Sequence, residues 1–158
     1  MPGKKRLGFA LTAALTWILC AGPASPAGQS GFAQDSFSDR TAHALLEQIA
    51  SGLVAQNRKR MLGAFDLDKM TDGPLFKQQV SSLFSQTVNI RVHFDQIQTS
   101  VEEGRGIATV EFELEAGRTD DRLPPLYKQA QLHLVAENTN GKWKFTDVQP
   151  RTFFSIQP

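Results

Sequence analysis

The sequence is poor in the residues that carry covalent and metal chemistry. It has one cysteine, Cys20, together with three histidines and one tyrosine. Cys20 lies in an apolar N-terminal stretch that an exported chain loses. Disulfides, thiol nucleophiles and cysteine-ligated metals therefore drop out of what remains. An excess of charge is missing too: 17 basic and 16 acidic residues leave a formal net charge of +1. Binding nucleic acid through its phosphates needs a basic patch, and this balance offers none. No internal repeat, low-complexity tract or Gly-rich phosphate loop is present. The longest apolar run, Leu7 to Leu19, is shorter than the roughly 20 residues that a membrane-spanning helix needs.

That run has the setting of a targeting signal. Lys4, Lys5 and Arg6 precede it, and small residues and prolines from Ala21 to Gly28 follow, with Ser25 and Ala27 spaced for small-x-small cleavage. The pattern predicts a signal peptide over 1–27, with an alternative cut after Ala33, and export to the periplasm or the outside. Trp17, Ile18 and Leu19 stand before Cys20, where a lipidated cysteine would follow a small residue. Cys20 is thus expected to leave with the signal, and no stable membrane anchor remains. Cleavage takes the basic count from 17 to 14 against 16 acids.

Residues 28–37 are mainly Gly, Ser, Gln and Ala and read as a flexible leader. Residues 38–158 are expected to form one domain. Ser38 or Asp39 can cap a helix by accepting a backbone N–H bond. From there Ala42, Leu45, Leu46, Ile49, Leu53, Val54, Met61, Leu62 and Phe65 recur at three- and four-residue steps. That spacing predicts one amphipathic helix of about six turns, with Arg58, Lys59 and Arg60 complementing the dipole at its C-terminal end. Asp72 is the expected cap of a second helix, with Phe76, Val80, Leu83, Phe84 and Thr87 on one face.

At Val88 the apolar period falls from about 3.6 to 2. Val88, Ile90, Val92 and Phe94 alternate with Asn89, Arg91, His93 and Asp95. Ala108, Val110, Phe112, Leu114 and Ala116 do the same, as do Ala130, Leu132, Leu134 and Ala136. The N-T-N-G segment suits a tight hairpin, since Asn and Gly tolerate positive φ. A fourth strand is expected from Trp143 to Phe154, with a bulge near Thr146 or Asp147 if Val148 is to share the face of Trp143. Phe153 and Phe154 would point to opposite sides of a regular strand, which leaves one of them for a surface contact. The fold class is α+β: N-terminal helices on one face of a curved antiparallel sheet of about four strands.

This order, ending in N-G-K-W-K-F-T-D-V and then F-F, resembles the nuclear transport factor 2-like (cystatin-like) superfamily over about residues 38–155. Only Asp66 to Gly73 separates the two expected helices, where many members carry a small hairpin at the mouth of a pocket. The resemblance implies a cone between helices and sheet. Its members include ketosteroid isomerase, polyketide cyclases and dehydratases, along with many non-catalytic binding and transport modules.

Isomerase-like chemistry needs a carboxylate base and a donor aimed into that cone. None of the inward positions from Val88 to Leu134 named above is ionisable, so no catalytic residue is assigned. Arg91, His93, Asp95, Glu111, Glu113, Glu115 and His133 fall on the opposite face. His93 and His133 with those acids have metal-ligand chemistry, but they read as a solvated face with cross-strand charge pairs, and neither a metal nor a cofactor is assigned. The sequence points to a non-catalytic module holding a small apolar ligand or envelope component. Met61, Phe65, Phe84 and Trp143 are its expected lining, with Tyr127 at the rim and Phe154 as a contact. A module that forms a homodimer through its sheet face is the alternative, and an isomerase or dehydratase is the third reading.

Overall fold

The computed structural model describes residues 36–156. The signal peptide, and all of the leader except Ser36 and Phe37, lie outside the described residues. Three helices come first: α1 (Asp39–Val54), α2 (Arg58–Leu62) and α3 (Gly73–Gln86). Four strands follow, β1 (Thr87–Glu102), β2 (Arg105–Arg118), β3 (Leu126–Thr139) and β4 (Lys142–Gln149), and then a 3-10 turn over Arg151–Phe154. The strands pair in the order β1-β2-β3-β4, all antiparallel. The sheet is curved and unclosed, and its inner face packs on the helices.

The expected six-turn helix is in fact two. Ser38 caps α1 by accepting from the Thr41 N–H. The chain then breaks at Gln56, which has φ +50°, and restarts with Asn57 Oδ1 accepting from the Arg60 N–H at 3.0 Å. The break lets α2 fold back onto α1. Gly52 makes room for it, since a Cβ there would lie 2.5 Å from the backbone nitrogen of Met61. Met61 still reaches the core, but from the returning segment. The basic run Arg58–Arg60 therefore forms α2 and does not close a long helix. Asp72 occupies the N-cap position of α3 with φ +61° and makes no capping bond. Its carboxylate meets Arg151 at 3.2 Å instead.

Two one-residue bulges shift β1, between Val88 and Arg91 and between Asp95 and Gln98. Asn89 and Gln96 take the positive φ angles, +52° each. Each bulge exchanges the two faces of the strand. Thr87 points in, Val88 is 39% exposed where an inward side chain was expected, Ile90 is buried, and Ile97 and Thr99 replace Gln96 and Gln98 on the inner side. Thr99 hydrogen-bonds Asp39 at the start of α1. β2 and β3 alternate as expected, and Asn140 and Gly141 turn with φ +55° and +78°. In β4 the register shifts at Thr146, which brings Val148 back to the inner face with Phe145. The strand ends at Gln149, before Pro150, and the rest of the expected fourth strand is the 3-10 turn.

That turn changes what the last two aromatics do. Phe153 and Phe154 both point into the core, 4% and 1% exposed, because a 3-10 turn does not alternate sides. Phe112 lies 5.5 Å from Phe153 and 6.1 Å from Phe154, edge-to-face with both. Phe76 of α3 meets Phe154 at 5.9 Å, and Phe65 bridges Phe76 and Phe145 at 4.8 and 5.9 Å. Phe94 stacks on Phe112 from β1. These seven rings fill the space between helices and sheet.

Candidate functional site

The interior offers chemistry little to work with. Thr87 and Thr146 are the only buried polar side chains among the described residues, and the Thr87 hydroxyl donates to the Leu83 carbonyl. No described Asp, Glu or His is buried. Of the expected pocket residues, Met61, Phe65 and Phe154 are core, and Phe84 packs against that core half-buried. Trp143 is half-buried over Phe37, ring centres 5.1 Å apart, near the start of β4. Tyr127 is 57% exposed. The six do not gather around one cavity.

The outer face of the sheet carries the ionisable ladder expected of it. Arg91 lies 3.8 Å from Glu115, and His93 lies opposite Glu113 and 3.8 Å from Asp95. Gln131 donates to Glu111 at 3.0 Å, and Thr109 pairs with His133 Nδ1 at 3.0 Å. His93 and His133 are thus on strands separated by β2, each with its own partner, and are not brought together. Exposed pairs of this kind contribute little to stability. No group of three or more metal-ligating side chains occurs among the described residues.

A third region lies at the ends of β2 and β3. Continued past Ala116, the inward period of β2 reaches Arg118, and continued back from Ala130, that of β3 reaches Lys128. Both are cations on the face otherwise given to Leu114, Ala116, Leu126 and Leu132. Expected strand ends two and three residues short of the observed ones concealed them, although the alternation itself carried the signal. Lys128 Nζ donates to the carbonyls of Thr152, at 3.3 Å, and Ser155. Burial, and then the charge of Arg118, push its pKa below the ordinary lysine value. Arg118 Nε is buried and has no hydrogen-bond partner. Around the two cations an open groove of about 500 Å³ is lined by Leu126, Thr152, Phe153 and Ile156.

No family model matches the sequence, and no curated protein matches it. Solved structures do. A proposed scytalone dehydratase from Novosphingobium aromaticivorans superposes with a TM-score of 0.61 at 14% identity, over 69% of this chain and 79% of that one. A hexachlorocyclohexane dehydrochlorinase gives 0.55 at 10% identity, over 69% and 80%. A proposed calcium/calmodulin-dependent protein kinase II association domain from Xanthomonas campestris gives 0.56 at 12%, over 71% and 85%. The chain has the nuclear transport factor 2-like fold. At such identities the likeness is one of fold, and the superfold hosts both enzymes and non-enzymes.

Proposed function

We propose that this chain is an exported, non-catalytic binding module that takes a small ligand with an apolar body in the open groove at the β2–β3 end of its sheet. The observation that carries this reading is the filled interior: seven phenylalanine rings stand where the resemblance implies a cone, so the ligand is held at the cone's edge. Isomerase or dehydratase chemistry would need a carboxylate facing apolar surroundings, and no described Asp or Glu is buried. Chemical-shift mapping with small amphiphiles tests the reading. Perturbations centred on Leu126, Thr152, Phe153 and Ile156 are expected; perturbations elsewhere, or none, overturn it.

A second reading is favoured by the outer face, where Glu113 sits centrally between His93 and Gln129. A homodimer joined through this face would sediment as a dimer and dissociate on Glu113→Arg. A monomer at every concentration removes that reading.

A further inference from the structure

We infer that the groove is a site for an organic anion, a carboxylate on an apolar tail, with Arg118 and Lys128 as its anion-binding pair. This deepens the proposed function and rests on its placing the ligand in this groove.

Two partly desolvated cations that line one groove on the inner side of a sheet repel one another unless something negative meets them. Among the described residues nothing does. No ion pair includes Arg118 or Lys128. The nearest acidic segment is already committed in part: Asp120 is held by Arg122 at 2.9 Å, and Asp121 lines the neighbouring cleft with Arg118 without pairing to it. Lys128 is steadied only by two carbonyl oxygens, which are dipoles and leave the net charge uncompensated. The orphaned Nε of Arg118 gives the guanidinium a reason to turn toward an arriving acceptor, because an unmade bond at a buried donor is costly. A planar guanidinium binds a carboxylate through two parallel N–H bonds, and the lysine adds a point charge beside it.

The rest of the groove supplies the tail contacts. Leu126 is buried, Phe153 presents the edge of the aromatic core, and Ile156 covers the far side half-exposed. Bare inorganic anions would use the cations and waste this apolar wall. A neutral alkyl alcohol would use the wall and leave the cations unmet. An alkyl carboxylate uses both.

Calorimetric titration of the whole exported chain with octanoate, octanol and chloride-matched buffer separates these cases without a mutation. Octanoate is expected to bind about ten- to a hundredfold more tightly than octanol, the range set by one or two charge-assisted hydrogen bonds. Arg118→Met and Lys128→Met, checked for native circular dichroism, are expected to reduce octanoate affinity toward that of octanol. Equal affinity for octanoate and octanol overturns the anion assignment, and if both still map to the groove the binding-module reading survives alone. Binding of neither ligand overturns both. Octanoate binding that is unchanged in both variants overturns the assignment of these two residues.

Discussion

Lys128 shows how position governs a side chain's chemistry. On the outer face it would be one more solvated lysine; two residues inside the end of β3 it is partly desolvated and feels the charge of Arg118. Its folded pKa is therefore lower than its unfolded one. The unfolded chain then holds the extra proton between the two values. The cost to stability is full below the folded pKa and disappears as pH rises toward 10.5. In a titration followed by NMR of ¹³C-methylated lysines, Lys128 should deprotonate at lower pH than the others. Arg118→Met should move it part of the way back up, because the repulsion goes and the larger burial effect stays. A Lys128 that titrates with the exposed lysines would show that the pair is not desolvated.

Among the elements, the C-terminal 3-10 turn joins the core to the proposed groove. It supplies two of the seven phenylalanines packed between helices and sheet, and its end caps Lys128 through the Thr152 and Ser155 carbonyls. Phe154→Ala should cost about 3–5 kcal/mol in urea-induced unfolding, as full truncations of buried aromatics do. It should also leave a dry apolar void that binds benzene. A loss below about 1 kcal/mol, within the range of surface substitutions, would mean that the turn is not part of the cooperative core. Phe145 plugs the core, whereas Trp143, expected to line a pocket, stays half-buried over Phe37, and both terminal phenylalanines go inside.

For the molecule as a whole, the prediction of widest consequence concerns export. The full chain produced in a secreting bacterial host should give a mature protein whose mass begins at Gly28, or at Gln34 for the alternative cut. A product that keeps Met1 and stays in the cytoplasm would remove the compartment from the proposed function. No helix among the described residues is long and apolar enough to cross a membrane.

Periodicity and local φ preference determined the α+β class, the faces of β2 and β3 and the Asn140–Gly141 turn, and gave the bulge near Thr146 only on the condition that Val148 lies inward. It could not see the break at Gln56, since the apolar spacing of α1 continues into α2 while the close approach at Gly52 is a contact across the turn. Nor did it place the two bulges of β1, whose extra residues are read only against a partner strand. The filling of the cone by Phe153 and Phe154, and the meeting of Arg118 with Lys128, were decided by tertiary structure. The first joins residues far apart in the chain; the second joins the ends of two neighbouring strands, whose inward sides only the paired sheet makes into one surface.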